Sequence, residues 1–355
     1  MIGKIKRPTL FVNKAQCLGN IRKMKMKAGL SHTHFRPHFK THQSLQIAEW
    51  FREEGVQSIT VSSVSMALQF ANAGWKDITI AFPFNIRETE DINRLFPGIT
   101  IGLLVESQET AGFLASHLKR KVRIFIEIDT GYHRTGISWD DHEGIREIIR
   151  ICRQSEMVEF KGFLIHSGHT YHARSTKEIH DIFNDTSEKM LSLKQLFGND
   201  LMISIGDTPS CSLRDSFPGI DEIRPGNFVY YDLMQYYLGA CSMDEIAVSV
   251  ACPVVAKYPS RKEVVIYGGA VHLSKEGLRL PDGRVIYGKV LETNPMNMPE
   301  AENAGYLNSL SQEHGIISVC REFIDKVTIG DIVHIIPVHS CLTADLLKEN
   351  TLITI

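Results

Sequence analysis

Alternation between strand-like and helix-like segments fills the first two-thirds of the chain and restricts what it can fold into. Amphipathic stretches such as Ser44–Glu54, Val64–Gly74 and Ser175–Phe197 separate short apolar or β-branched runs. About eight strand–helix repeats predict a (β/α)8 barrel, although an open doubly wound sheet shares the local pattern. The predicted strands are His34–Phe39, Ser58–Ser62, Asp77–Phe82, Thr100–Val105, Val122–Ile128, Phe160–His166, Leu201–Ile205 and Glu222–Tyr231.

The pattern changes near Cys241. Beyond it, strand-like runs are joined by connections rich in Pro, Gly and Asn, without a clear helix between them. This pattern predicts a separate all-β domain. We therefore expect the barrel over residues 14–240 and the β domain over residues 241–355, together with residues 1–13. The predicted strands of the β domain are Ala247–Lys257, Glu263–Tyr267, Ile286–Leu291, Gly315–Val319 and Ile332–Val338.

Composition indicates a globular protein whose main partner is neither nucleic acid nor membrane. Hydrophobic residues make up 43% of the 355 positions and charged residues 23%. The 39 Lys and Arg nearly balance the 41 Asp and Glu, which leaves a formal net charge of -2 and no electrostatic case for a polyanion. The seven cysteines are scattered, and no long apolar segment is present. We expect a cytoplasmic protein without a disulfide framework.

Chemistry in either α/β architecture gathers at the carboxyl ends of the strands. The first predicted strand ends in the string Arg36–His42, which contains Lys40. A partly desolvated lysine at a barrel mouth can lose its proton and form a Schiff base. The alternative for Lys40 is an ordinary solvated lysine.

The loops after the fifth and sixth strands carry further candidates. Arg134 lies in the glycine-bracketed loop after the fifth strand, where it can donate to a phenolate, carboxylate or phosphate, or pair with Asp129 or Glu127. The sixth strand leads into His166–His172. Its three histidines and Tyr171 suit metal ligands, general bases or stacking platforms, or are loop residues bonded to the backbone.

The last two predicted βα loops contain Gly206–Ser210 and Arg224–Asn227. Small and hydroxyl residues in these loops match the recurrent phosphate site of barrels, where backbone N–H groups surround the anion.

The β domain contains the pair His339-x-Cys341 near its C-terminal end. On a strand, residues two apart face the same side, so both side chains could reach one ion. Imidazole and thiolate suit Zn²⁺, and a site with two protein ligands leaves room for substrate and water. An isolated pair of this spacing also arises by chance.

Taken together and in this order, these segments resemble fold-type III pyridoxal-phosphate enzymes of the D-threonine aldolase and D-serine dehydratase family, distant relatives of alanine racemase. The resemblance covers nearly the whole chain. It implies an alanine racemase-type barrel that holds pyridoxal 5'-phosphate and a C-terminal all-β domain that holds a divalent metal. It also implies a homodimer in which each active site lies where one subunit's barrel meets its partner's β domain.

The resemblance assigns roles to individual residues. Lys40 becomes the Schiff-base lysine and the general base at the substrate Cα. His169 or His166 is the base for a retro-aldol cleavage. Arg134 contacts the cofactor's phenolic oxygen and Tyr171 lies near its ring. The remaining ligands are Thr208, Gly226 and Asn227 for the phosphate, and His339 and Cys341 for the metal, with zinc as the first expectation and manganese as the alternative.

The activity implied is that of a lyase on small D-3-hydroxy amino acids, with the metal on the substrate β-hydroxyl. The alternative is a pyridoxal-phosphate racemase or epimerase, which needs a second base. Candidates for that base are Tyr258, Tyr267, Tyr287 and Tyr306. The metal pair favours the lyase, because two-base racemisation needs no metal. A non-catalytic pyridoxal-phosphate carrier and a barrel enzyme without this cofactor are further alternatives.

Three segments depart from the family pattern. Asp207 stands where relatives commonly have a second glycine before the threonine, and we expect it to point away from the phosphate or to bond the backbone. The stretches Tyr267–His272 and Leu342–Asp345 also differ. These departures bear on which amino acid is the substrate.

Overall fold

Two large sheets organise the chain, and the computed structural model describes residues 5–95, 97–291 and 304–354. Over these residues the strands are β1 Thr9–Asn13, β2 His34–Phe35, β3 Ser58–Val61, β4 Asp77–Pro83, β5 Thr100–Val105, β6 Val122–Asp129, β7 Ile137–Ser138, β8 Val158–Ile165, β9 Met202–Ile205, β10 Glu222–Ile223, β11 Val248–Tyr258, β12 Glu263–Tyr267, β13 Leu278–Arg279, β14 Val285–Ile286, β15 Gly288–Leu291, β16 Gly305–Leu310, β17 His314–Val319, β18 Ile332–Pro337 and β19 Thr351–Thr354.

The α-helices fall mainly between the strands of the first sheet. They are α1 Lys14–Leu30, α2 Leu45–Glu53, α3 Val64–Asn72, α4 Thr89–Asn93, α5 Gln108–His117, α6 His142–Arg153, α7 Thr176–Phe197, α8 Thr208–Leu213, α9 Leu233–Tyr237, α10 Ala270–Leu273, α11 Arg321–Lys326 and α12 Ser340–Leu346. None of the helices in the described part of the chain is long and apolar enough to cross a membrane.

The first sheet is a parallel barrel. Its strands pair in the order β2-β10-β9-β8-β6-β5-β4-β3. The two ends of this series meet just beyond β2, where His38 forms a parallel bridge with Thr60 and the Phe39 N–H donates to the Thr60 carbonyl at 2.8 Å. An open doubly wound sheet would leave both end strands unpaired, so the predicted barrel is confirmed.

Serine residues start four of the barrel helices. The side chains of Ser44, Ser63, Ser107 and Ser175 each accept a hydrogen bond from a backbone N–H in the first turn of the following helix. Such caps satisfy N–H groups that the helix itself cannot. Each loop therefore fixes where the next helix begins.

Two predicted barrel strands are shorter in the structure than expected. The first ends at Phe35 and the last at Ile223, rather than at Phe39 and Tyr231. Pro37 and Pro225 lie just after these ends, and proline cannot donate to a strand ladder. Beyond both prolines, the chain makes isolated backbone hydrogen bonds in place of a continuous strand ladder.

The second sheet is antiparallel except for its parallel pair β1–β19, and it also closes on itself. The strands β11, β12, β17, β16, β15 and β18 pair in a ring, because β11 bonds to both β12 and β18. β1 extends this sheet by pairing with β11, and β19 pairs with β1. The predicted all-β domain is therefore present, with β16 and β19 as strands that the sequence pattern did not indicate and short helices where none was expected.

The chain divides into two compact units. One contains Lys23–Lys40 and Ser44–Gly226, and includes the parallel barrel. The other contains Met1–Arg22, Thr41–Gln43 and Asn227–Ile355, and includes the antiparallel sheet. They are called the barrel unit and the β unit below. The units change over at Asn227, while the domain boundary between residues 240 and 241 stays a prediction.

Candidate active site

Lys40 is the last residue of a tightly held segment of the barrel unit. Phe39 is fully buried, and its ring packs on three aromatic rings with centroid distances of 4.9 to 5.2 Å, those of Phe51, Phe70 and Trp75. The Lys40 N–H donates to His38 Nδ1 at 3.3 Å. The backbone position of Lys40 is therefore fixed by the core, while its side chain is exposed.

His166 follows β8 and is held as a neutral imidazole. Its Nδ1 bonds to the carbonyl of Gly206, and because a carbonyl only accepts, Nδ1 carries the proton. Burial, and then the positive charges of Lys40 and Arg134, lower the pKa of His166 to about 3. Nε2 is therefore an unprotonated nitrogen at neutral pH.

The loop after β9 has the features expected of an anion site. Thr208 Oγ1 is fully buried and has no hydrogen-bond partner within the described ranges. The Thr208 N–H donates to the hydroxyl of Tyr171 at 3.3 Å. A buried hydroxyl without a partner is costly, and a bound phosphate would supply the missing acceptor.

Asp207 bonds the backbone, as the sequence predicted. Its Oδ1 accepts the Ser210 N–H at 2.7 Å, which caps α8, and the Thr170 hydroxyl at 3.1 Å. Burial is the main cause that raises the pKa of Asp207, to about 6. The carboxyl group is therefore part of the loop's own hydrogen bonding.

Arg134 makes no ion pair with Asp129 or Glu127 among the described residues, so that alternative from the sequence is not observed. Asp129 bonds instead to the ring and backbone of His133. Arg134 is exposed, and its guanidinium carbon lies 5.4 Å from the centroid of the Tyr132 ring. Its donors remain available to a ligand.

His169 lies against Tyr132, with the ring centroids 5.9 Å apart in a stacked arrangement. His166 contacts the same tyrosine edge-on at 6.1 Å. Burial lowers the pKa of His169, with Asp129 opposing this shift. An added Cβ at Gly168 would lie 2.2 Å from the Tyr132 ring. Glycine at this position therefore permits the tyrosine to pack against the two histidines.

His339 and Cys341 come together in the β unit, although the reason given from the sequence was wrong. β18 ends at Pro337, and Cys341 lies in the first turn of α12, with the extended residue His339 just before it. The two side chains are therefore not two positions of one strand. Each side chain shifts the pKa of the other, and His339 Nδ1 bonds to a carboxylate oxygen of Glu276.

Electrostatics in this pair favour a thiolate. Burial alone would raise the pKa of Cys341, but hydrogen bonds from His339 and Thr41, with the charge of His339, outweigh it and lower that pKa. Burial would lower the pKa of His339, but its bonds to Cys341 and Glu276 raise it to about 11. Thiolate is the form of cysteine that binds metals.

Asn227 belongs to the same cluster. Its Nδ2 donates to Asp232 Oδ2 at 2.6 Å, to Ser340 Oγ at 3.0 Å and towards Cys341 Sγ at 3.4 Å. Thr41 Oγ1 lies 3.2 Å from the same sulfur. Because Nδ2 is occupied, the side chain of Asn227 has only its acceptor oxygen to offer, and a phosphate would have to use its backbone N–H.

The predicted residues thus form two groups, one in each unit. In the barrel unit, the Tyr171 hydroxyl bonds to the Thr208 N–H, and the Tyr171 ring lies 6.3 Å from the ring of His166. The charges of Lys40 and Arg134 lower the pKa of His166. Gly226 ends this unit. In the β unit, Asn227, His339 and Cys341 are in contact. Within the described residues no group of three or more His, Cys, Asp or Glu side chains is arranged to hold a metal, so the pair offers two protein ligands.

Sequence reasoning missed Asp232, Glu276 and Tyr132. Asp232 stands before a short apolar helix as an N-cap would, and this was the only local signal for it. Its bonds to Ser340 and the bond of Glu276 to His339 join residues far apart in the chain. Such pairs have no signature in a single sequence.

Comparison with known proteins finds relatives that are similar over nearly the whole chain. D-serine dehydratase of Dictyostelium discoideum is 29% identical, covering 98% of this chain and 93% of the relative. D-threo-3-hydroxyaspartate dehydratase of Delftia sp. (strain HT23) is 26% identical, covering 95% and 91%. The solved structure of the Delftia enzyme matches with a TM-score of 0.86 at 24% identity over 97% and 93% of the chains. A metal-free form of a variant of D-threo-3-hydroxyaspartate dehydratase matches with a TM-score of 0.88.

Two family models match consecutive parts of the chain. The model described as "Putative serine dehydratase domain" matches residues 247–353. The model described as "Alanine racemase, N-terminal domain" matches residues 12–233, well over half of the chain. The resemblance stated from the sequence is confirmed, and the chain belongs to the family with an alanine racemase N-terminal domain, followed here by a serine dehydratase domain.

Proposed function

We propose that this protein is a lyase that acts on small D-3-hydroxy amino acids with pyridoxal 5'-phosphate and a divalent metal. The observation that carries the proposal is the way the β unit holds an imidazole and a thiol two residues apart at the start of α12, His339 by its bond to Glu276 and Cys341 by its contacts with Thr41 and Asn227. An imidazole and a thiolate held together suit a metal site. Two-base racemisation has no use for such a site.

The barrel unit fits pyridoxal phosphate. Thr208 offers a buried hydroxyl without a partner among the described residues, and the backbone N–H of Gly226 is a further donor proposed for the phosphate; a contact from Asn227 stays a prediction from the sequence. Lys40 supplies the amine that would carry the cofactor, and Arg134 the donor for its phenolic oxygen. When bound, the cofactor supplies an electron sink for negative charge at the substrate Cα.

Proton transfer falls to this chain's own side chains. Lys40 Nζ is the general base proposed for the substrate Cα proton. His166 is kept neutral by its surroundings and presents Nε2 as an acceptor. His169 has a buried Nδ1 without a partner in the described part of the chain. Either imidazole could accept the proton of a substrate β-hydroxyl, the step that a retro-aldol cleavage requires.

The β unit fits the metal. We assign Cys341 Sγ and His339 Nε2 as ligands, because Glu276 occupies His339 Nδ1. A carboxylate on the second ring nitrogen is the usual way to orient a metal-binding histidine. The metal supplies a Lewis acid for the substrate β-hydroxyl. Zinc is the metal that imidazole with thiolate favours, and manganese is the alternative.

Dehydration is the reaction that we favour. It removes the Cα proton and the β-hydroxyl, whereas retro-aldol cleavage removes the hydroxyl proton and breaks the Cα–Cβ bond. Support comes from the two relatives at 29% and 26% identity, both of which are named as dehydratases. D-serine and D-3-hydroxyaspartate are therefore the first substrates to test.

We further propose a homodimer in the cytoplasm. The exposed Lys40 side chain is consistent with a site that a second subunit would cover, and the seven free cysteines suit a reducing compartment. Light scattering coupled to gel filtration would give twice the chain mass for a dimer. A monomer at working concentrations of the active enzyme would contradict this part of the proposal.

Product analysis with and without EDTA tests the proposed activity. We expect pyruvate and ammonia from D-serine, lost on chelation and restored by Zn²⁺ or Mn²⁺, with no turnover of L-serine. Glycine and acetaldehyde from D-threonine would instead identify an aldolase. Interconversion of enantiomers that resists EDTA would refute the lyase.

The Lys40→Ala variant is the matched control for the cofactor. It should lose both the yellow colour and the activity, because its side chain has no amine. Full activity in this variant would contradict the role of Lys40.

A further inference from the structure

Asp232 is a buried carboxylate with an unusual number of partners. It is 1% exposed, and it caps α9 by accepting the Gln235 N–H on Oδ1 at 3.0 Å. Its Oδ2 accepts three further donors: the Ser340 N–H at 2.9 Å, the Ser340 hydroxyl at 3.2 Å and Asn227 Nδ2 at 2.6 Å. Capping α9 alone would use only one of these oxygens.

The bonds to Ser340 fix the segment that carries the metal pair. Ser340 lies between His339 and Cys341 and begins α12. The first N–H groups of a helix have no partner within it, and His339, the residue at the N-cap, provides no side-chain cap. Asp232 supplies that cap from a distant part of the chain. Its position therefore sets the backbone between the two ligands.

The bond to Asn227 orients a second group beside the thiol. Because Asp232 can only accept, it holds the amide with Nδ2 facing itself, and this places the same nitrogen 3.4 Å from Cys341 Sγ. A donor beside a thiolate stabilises its charge. Loss of Asp232 would release this amide as well as the start of α12.

We propose that Asp232 is a positioning residue that holds Ser340 and Asn227 so that His339 and Cys341 are set in advance for one metal ion. This inference rests on the metal site of the proposed function. Residues outside the ligand shell that orient ligands typically contribute about 10–100-fold to metal affinity. Asp232 would therefore act on metal binding without touching metal or substrate.

The test is the affinity of the pyridoxal-phosphate-loaded, metal-free enzyme for Co²⁺, read from its thiolate charge-transfer absorption. We expect Asp232→Asn to weaken the Co²⁺ Kd about tenfold or more. The amide oxygen of the new asparagine can still accept the Gln235 N–H and cap α9. Its NH₂ group then faces the donors of Ser340 and Asn227 and cannot accept their hydrogen bonds. Asp141→Asn is the matched control, since Asp141 caps α6 in the barrel unit through the Gly144 N–H; its Kd should stay that of the wild type.

Ser340→Ala provides a second variant if Asp232→Asn does not fold. It keeps the backbone N–H but loses the hydroxyl bonded to Asp232 and Asn227, so we expect a Kd weaker by about threefold, consistent with part of one hydrogen bond. If Asp232→Asn folds and binds Co²⁺ with the wild-type Kd, the inference about Asp232 is wrong, while the proposed metal site still stands. If Asp232→Asn does not fold, a wild-type Kd in Ser340→Ala has the same meaning. If the wild type shows no thiolate–Co²⁺ band, or keeps it in Cys341→Ser, the metal site itself fails and the role of Asp232 with it.

Discussion

The buried carboxyl of Asp207 should make the stability of the barrel unit depend on pH in a direction opposite to that of most carboxylates. Asp207 is 2% exposed, and burial raises its pKa from 3.8 to about 6 against the opposing bonds from Ser210 and Thr170. When the pKa of a carboxyl group is higher in the folded protein than in the unfolded chain, the group stabilises the folded state at a pH below its pKa in the unfolded chain. This stabilisation is lost as the pH rises through the pKa that the group has in the folded protein.

The size of the effect follows from the shift. Two pKa units correspond to about 3 kcal/mol when the group is ionised in both states. At about pH 5 the folded carboxyl is still mostly protonated and roughly half of that cost is present, so the change between about pH 5 and pH 7.5 is on the order of 1 kcal/mol.

Asp207→Asn isolates this effect. The amide oxygen can still accept the Ser210 N–H and cap α8, while the charge is absent at every pH. The stability of the variant relative to the wild type should therefore rise by on the order of 1 kcal/mol from about pH 5 to pH 7.5. Other titrating groups cancel in the comparison.

Urea unfolding of the cofactor-free protein, followed by tryptophan fluorescence, measures the stability of Asp207→Asn relative to the wild type. This signal reports on the barrel unit. The three tryptophans, Trp50, Trp75 and Trp139, all belong to the barrel unit, as Asp207 does. A relative stability that is constant over this pH range, or that falls, would refute the reasoning.

Three further predictions concern single side chains. Thr208→Ala should weaken pyridoxal-phosphate binding about 5–10-fold in an absorbance titration, by loss of one buried hydrogen bond, while Thr208→Ser should not; equal affinities would exclude a phosphate contact. Gly168→Ala should lower the free energy of unfolding by about 1–3 kcal/mol, because the added Cβ would overlap the Tyr132 ring. Gly112→Ala is the control, because the space around Gly112 is open and the protein should not be destabilised. Equal effects of the two substitutions would contradict the packing of Tyr132 on Gly168. Glu276→Ala should weaken Co²⁺ binding about tenfold in a chelator competition, because His339 loses its Nδ1 partner; an unchanged Kd would show that the carboxylate does not orient the ring.

The barrel could be predicted because its strands and helices follow local periodicity. Thr100–Val105 was placed at its observed bounds, and α2, α3 and α7 lie within the predicted amphipathic stretches. The errors at the first and last strands come from reading apolar character across Pro37 and Pro225. Hydrophobic patterning locates a strand, but hydrogen-bonding capacity decides where it ends.

The metal pair was found from its residue types and placed on the wrong element. The spacing of His339 and Cys341 suits two positions of a strand, and the run Ile332–Val338 before it is apolar enough to suggest that the strand continues. In fact the chain turns into α12 at Ser340, held there by Asp232. A cap supplied from 108 positions away leaves no trace in local sequence, so the helix start could not be seen.

The three residues Thr41–Gln43 determine how variants of the metal pair should be interpreted. They belong to the β unit although barrel residues flank them, and two of their side chains bond to α12: Thr41 to Cys341 Sγ and Gln43 to Asp345 at 2.8 Å. The Thr41 hydroxyl is thus a group besides the metal that depends on the side chain at position 341. Cys341→Ala removes both the metal ligand and this bond, whereas Cys341→Ser keeps a partner for Thr41. Only the serine variant separates loss of the thiolate ligand from loss of the Thr41 bond, and a difference in the free energy of unfolding between the two metal-free variants would measure what that bond contributes.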